Sequence, residues 1–277
     1  MNHLIASAES KYIKLLESFF LETGGKIVYS HNLGHHRRVW NNAKELLAAN
    51  SNNGNPVSGK LAETLLIGCY LHDLGMCIDA GSVHGSLSAD LCRQFLSRNG
   101  LAENDFPGLI RAIETHDRKE YRSASDPGNP ATLLSVADDL DAFGYIGIYR
   151  YAEIYLARHI PRSELGFRIL ENSANRFANF SHVFADSPDL ILKHRQKFLI
   201  LRNFYDDYNI RQKTEGFEEK NISGHWGVIC LISEMLTNNI NPEDEPSVAA
   251  PYQNDQIIFS FFKNLISDLN QAHQLSH

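Results

Sequence analysis

Leu65-Leu66-Ile67-Gly68-Cys69-Tyr70-Leu71-His72-Asp73-Leu74-Gly75 is an apolar run closed by a histidine and an aspartate. It predicts a buried helix from about Ser58 to Leu74, stopped by Gly75. A carboxylate near the last turn of such a helix is poorly placed. The C-terminal end carries partial negative charge, and the interior offers little water. Something positive should offset that cost, and a neutral imidazole beside the carboxylate suggests a divalent metal ion. The blander alternative is a buried His–Asp pair that partly neutralises itself.

Outward from this run, helical periodicity dominates and strand-like alternation is scarce. A first helix is expected over about Ser10 to Thr23, with Tyr12, Leu15, Leu16, Phe19 and Phe20 on one side. A second spans about Asn32 to Ala49 and ends in the polar stretch Asn50 to Gly54. Serines 82 and 86 can cap a fourth helix that ends at Gly100. Pro107 suits the first turn of a fifth, extending to about His116. After a loop from Arg122 to Pro130, a sixth helix starts near Ala131 and continues past Gly144 and Gly147 to Arg158. Beyond Pro161, helices are expected at about 163–180, 188–213, 222–240 and 252–275. The fold class is therefore all-α. The expected division is a metal-binding helical core over 1–160, with the helices of 161–277 packed on it.

Composition narrows the function. Hydrophobic residues make up 43% of the chain and charged residues 21%, values ordinary for a globular protein. A formal net charge of −7 disfavours nucleic acid and anionic lipid as partners. No segment has the length and apolarity of a membrane span. The four cysteines, at 69, 77, 92 and 230, form no C-x-x-C pair and demand no disulfide. The N-terminal residues do not read as a signal peptide, so a cytoplasmic setting is expected.

The candidate site residues follow from helical projection. His35 shares a face with Val39, Ala43 and Leu46 and points inward, whereas His36 is rotated to the polar side with Lys44. His72 follows Gly68 by one turn and also faces inward. His116 shares a face with Leu109 and Ile113. His84 sits at or just before the start of the fourth helix. A buried histidine is most often a hydrogen-bonded core residue, and the second dipeptide, His116-Asp117, shows how weak the pair is by itself. On the sixth helix, Leu133, Val136, Ala137, Leu140 and Phe143 form an apolar stripe bordered by Asp138. An acid so close to a core face again asks for a cation. Asp141 has a simpler explanation, an ion pair with Arg38.

The ordered set His35-x-x-Arg38-Val39, Leu71-His72-Asp73-Leu74-Gly75 and Ala137-Asp138-x-Leu140-Asp141-Ala142 resembles the HD-domain superfamily of metal-dependent phosphohydrolases. The run from Asp138 to Ile148 is similar to a bacterial branch of small HD hydrolases. The similarity covers about residues 25 to 160 and, weakly, helices up to about 212. It implies His35, His72, Asp73 and Asp138 as metal ligands. It also implies that His84 and His116 either hold a second ion, with Asp73 bridging, or face the substrate phosphate. Met76 stands where some subfamilies carry Lys. Cys77, Ile78 and Asp79 stand where others carry a catalytic Glu, which argues against the cyclic-dinucleotide phosphodiesterases and leaves the general acid unassigned. The His31-Asn32-x-x-His35 spacing is similar to that of cyclic-nucleotide phosphodiesterases, but little else in the chain is.

The chemistry the resemblance implies is hydrolysis of a phosphoester or phosphoanhydride of a nucleotide or related small phosphate. One divalent ion or two (Mn, Fe, Zn, Ni or Mg) would lower the pKa of a bound water and offset phosphate charge. Asp73 would hold and deprotonate that water. His116, with His84, would stabilise the phosphoryl oxygens or protonate the leaving oxygen. Arg118, Lys119 and Arg122 could attract a polyphosphate, although a solvated charge cluster is the commoner meaning of such a run. Tyr145, Tyr149 and Tyr151 read as core. Two other classes fit the same residues: an HD-type di-iron oxygenase using all six ligands, and a non-catalytic HD protein whose C-terminal helices form a partner surface or a homodimer interface.

Overall fold

The computed structural model describes residues 1–24, 28–118, 126–214, 222–243 and 250–274. Among them are eleven α-helices, four short 3₁₀ turns and no strand, an all-α fold. The chain divides into two compact units.

The first unit comprises Met1–Ile27, His31–Asp141 and Asn179–Ile191. It holds α1 (Asn2–Thr23), α2 (Leu33–Asn52), α3 (Gly59–Leu71), α4 (His84–Arg98), α5 (Leu109–Thr115) and α6 (Pro130–Asp141). The apolar run forms α3, which packs against α1, α2, α5 and α6. Every residue from Ala62 to Leu71 is buried, as expected of a helix apolar on all sides. Ser58 starts α3 by accepting a hydrogen bond from the Leu61 amide at 3.0 Å. Asn32 does the same for α2, accepting from the His35 amide at 3.2 Å, which places His35 in the first turn.

Helix α1 begins at Asn2 rather than Ser10, and α5 begins at Leu109 with Gly108 as its N-cap, so Pro107 precedes its first turn. Two further differences matter for the site. Helix α3 ends at Leu71 rather than Leu74; His72 is its C-cap, and Leu74–Cys77 form a 3₁₀ turn. Gly75 in that turn is wedged against the start of α4. A β-carbon there would collide with the His84 carbonyl oxygen and the Ser88 amide. The Gly75 amide donates to Ser88 Oγ at 2.8 Å, which pins the turn to α4. The sixth helix, expected to run on to Arg158, stops at Asp141. Phe143 is extended, with φ −114° and ψ 165°, and Gly144 has φ +72°. That backbone cannot continue a right-handed helix, and glycine takes the left-handed conformation without steric cost.

The second unit comprises Val28–Ser30, Ala142–Ala178 and Leu192–His277. It contains α7 (Gly144–Ala157), α10 (Gly224–Asn238), α11 (Gln256–Gln274), and most of α8 (Arg162–Val183) and α9 (Pro188–Thr214). Its core is aliphatic and aromatic, built on Ile148, Leu201, Tyr205, Trp226, Ile229 and Phe262. Tyr149 and Tyr151 belong to this core and Tyr145 packs on it, as the apolar spacing suggested. Among the described residues no helix is long and apolar enough to cross a membrane.

Candidate metal centre

The site is assembled by histidines whose Nδ1 atoms are already committed. His72 Nδ1 lies 3.0 Å from the carbonyl oxygen of Cys69. His84 Nδ1 lies 2.6 Å from that of Gly81, and His116 Nδ1 lies 2.6 Å from that of Ile113. In each case the acceptor is three residues earlier in the chain. His72 and His116 are the C-caps of α3 and α5, so their rings satisfy carbonyls that a helix end leaves without an intrahelical partner. A carbonyl can only accept, so Nδ1 carries a proton, and whenever the ring is neutral its lone pair is at Nε2. His35 sits at a helix start and uses a different acceptor, Asp141 Oδ2 at 2.8 Å.

The Nε2 atoms converge on Asp73. On its Oδ2 side are His72 at 3.3 Å and His35 at 3.5 Å. On its Oδ1 side are His116 at 2.9 Å and His84 at 3.4 Å. Asp138 Oδ1 lies 3.8 Å from His35 Nε2 and 3.9 Å from His72 Nε2. Two groups result, His35–His72–Asp73–Asp138 and Asp73–His84–His116, and the ligand atoms within each lie within 4.8 Å of one another. All six residues are buried. The two groups share only Asp73, one oxygen to each side.

The HD-CE family model matches residues 16–213, more than half of the chain. The chain belongs to the HD-CE family. No curated protein and no solved structure matches it. The match reaches back into α1 and forward to the end of α9, so it extends beyond the helices that carry the six buried side chains.

The donor set of this HD-CE domain fits a divalent cation. His35 Nε2 and His72 Nε2 are 3.3 Å apart. Two lone pairs tolerate that separation only with a proton or a cation between them. The carboxylates draw positive charge in. Burial pushes His72 down, but the charges and hydrogen bonds of Asp73 and Asp138 prevail and hold it up at about 10. Burial likewise lowers His84, and Asp73 raises it to about 9. Asp73 is 3% exposed. Burial pushes its pKa up, but His72 and His116 together hold it well below the usual carboxylate range. Imidazole nitrogen mixed with carboxylate oxygen suits Mn, Fe, Zn, Ni or Mg to different degrees.

Three placements depart from the sequence reading. His36 is not on a polar face. It is fully buried, its ring edge-on to Phe20 of α1, and its Nδ1 lies 3.1 Å from the same Cys69 carbonyl oxygen that His72 uses. Its Nε2 has no hydrogen-bond partner among the described residues. Burial, reinforced by His35 and His72, keeps its pKa well below the usual imidazole value. The apolar stripe of α2 understated how much of that helix its neighbours cover. His31, given little weight in the sequence, is also buried and brings Nε2 within 3.4 Å of Asp73 Oδ2. The only signal for it was its spacing to His35. The second dipeptide is split: His116 turns in to Asp73, while Asp117 is part-exposed with Oδ2 3.7 Å from His84 Nε2.

Arg38 pairs with Asp141 as expected, through Nε to Oδ1 at 2.8 Å and Nη2 to Oδ2 at 3.1 Å. Arg118 is exposed and belongs to neither ligand group. Lys119 and Arg122 lie outside the described residues.

Proposed function

We propose that this HD-CE protein is a metal-dependent hydrolase of a small phosphate ester or anhydride, a nucleotide or a related molecule, acting in the cytoplasm. The observation that carries the reading is the two-sided Asp73, buried between opposed pairs of imidazole Nε2 atoms. Ions bound there would lower the pKa of a bound water and offset the charge of a phosphate. His35, His72, Asp73 and Asp138 would hold the first ion. His84 and His116 would hold a second ion with Asp73, or face the phosphate.

The chain's own groups supply the remaining steps. Asp73 is placed to orient the attacking water and, where only the first ion is held, to accept its proton on Oδ1. His116, fixed by its Nδ1 bond to Ile113, presents Nε2 toward the reacting centre; where that nitrogen holds no ion and has taken up a proton, the imidazolium can pass it to the leaving oxygen. Burial of the cluster limits competing water and strengthens each electrostatic contact. The exposed Arg118, with Lys119, is assigned to attracting the anionic substrate. The net charge of −7 favours a small phosphate over nucleic acid.

The test is hydrolysis across a panel of nucleotides and phosphoesters, with metal analysis of the purified protein. Metal-dependent turnover that disappears in Asp73→Ala supports the reading; undiminished turnover in that variant removes it. The closeness of the Asp73–His84–His116 group to the first group also favours a second reading, a six-ligand di-iron oxygenase. Two equivalents of iron with oxygen consumption, and no phosphoester hydrolysis, would select it.

A further inference from the structure

Three of the four ring nitrogens that fix the imidazoles bond to backbone carbonyls; His35 alone bonds to a carboxylate. That carboxylate, Asp141, is buried and gripped by Arg38 through two hydrogen bonds, one to each oxygen. The side chain of Arg38 is only 10% exposed, so the pair is not a solvated surface contact. A two-point guanidinium–carboxylate clamp sets the plane of the carboxylate as well as its position. Asp141 Oδ2 therefore faces His35 Nδ1 in one orientation, and the imidazole is held as the tautomer whose lone pair is on Nε2.

We infer that Asp141, clamped by Arg38, is a positioning residue for His35, and that it makes the His35–His72–Asp73–Asp138 group the tighter of the two ion sites. The inference rests on the metal-site reading above. Its physical basis is that a carboxylate behind an imidazole raises the basicity of the distal nitrogen more than a neutral carbonyl does. The first group also contains two buried carboxylates, whereas the second shares Asp73 and has beside it only the part-exposed Asp117, 3.7 Å from His84 Nε2. Arg38 balances the charge of Asp141, so the added basicity comes without an uncompensated buried anion.

The experiment is titration of the full-length protein with Zn²⁺ in competition with a chelator, and with Co²⁺ followed by its visible absorption. Wild type is expected to fill two steps, the first tighter. In Asp141→Asn the first step should weaken by about 10- to 100-fold and the Co²⁺ spectrum of that step should shift, while the second step changes little. Arg38→Lys keeps the charge but loses the fork and should weaken the first step by a smaller factor. If Asp141→Asn does not fold, the double variant Arg38→Met/Asp141→Asn, which leaves no lone buried charge, is titrated instead with the same expectation. A purely structural role predicts a lower melting temperature for the metal-free protein with an unchanged first step, and that result overturns the inference. Absence of metal binding in wild type would overturn the metal-site reading itself, whereas binding unaffected by Asp141→Asn overturns only this one.

Discussion

The two sides of Asp73 are built from the same parts in different ways. On the Oδ2 side, His35 and His72 come from the start of α2 and the end of α3, and Asp138 adds a second carboxylate from α6. On the Oδ1 side, His84 and His116 come from the start of α4 and the end of α5, and the carboxylate beyond Asp73 there is the part-exposed Asp117, 3.7 Å from His84 Nε2. Both sides rest on packed helices, α2, α3 and α6 on the first and α4 and α5 on the second. The second also depends on a turn, Leu74–Cys77, pressed against α4 at Gly75. The difference teaches that the first side offers a cation the stronger buried donor set, and that the second side is also held in place by close backbone approach.

The largest expected effect removes the residue common to both sides. Asp73→Asn should lower metal-dependent turnover by about a thousandfold or more and reduce bound metal on both sides, as read by steady-state kinetics and elemental analysis. Next, His72→Ala and His84→Ala separate the sides. His72→Ala should cost the tight ion and reduce activity by about 100-fold or more, whereas His84→Ala should remove only the weaker equivalent. Equal stoichiometry in the two variants would erase the comparison. Chelation of the wild type should then lower its stability by about 2.7 kcal/mol for each site that was filled at free metal 100 times its Kd, measured by thermal unfolding. A smaller loss in His84→Ala than in wild type would show that both sides contribute. The smallest effect concerns the turn. Gly75→Ala should destabilise the protein by about 1–3 kcal/mol, because a β-carbon has no room beside His84 and Ser88. It should also weaken the second metal step while leaving the first nearly intact.

Much of this was legible in the chain. The unbroken apolar run before His72 required a helix covered on all sides, and α3 is one. The stripe Val39, Ala43 and Leu46 placed His35 inward, and Leu109 with Ile113 did the same for His116. The Arg38–Asp141 pair was foreseen as an alternative to a ligand role for Asp141. It is that, and it also orients His35, which the pairing by itself did not suggest. His36 was misplaced because periodicity locates the centre of a buried face but not its width. With Phe20 of α1 over it and Cys69 of α3 beside it, α2 is covered well beyond its apolar stripe. The break at Phe143 was missed because the apolar pattern runs through it, and a single glycine is compatible with either a continuous helix or a turn.

The sequence by itself determined that the chain is helical, which faces are apolar, and that acids and imidazoles recur at the borders of those faces. These are local properties, set by side-chain spacing along one helix at a time. Only the tertiary structure decided that six such side chains meet, that Asp73 stands between two pairs of them, and that His31 and His36 join the cluster. Those outcomes depend on where helix ends lie relative to one another. Such positions are set by caps, turns and backbone approach at Gly75, and no helix carries that information alone.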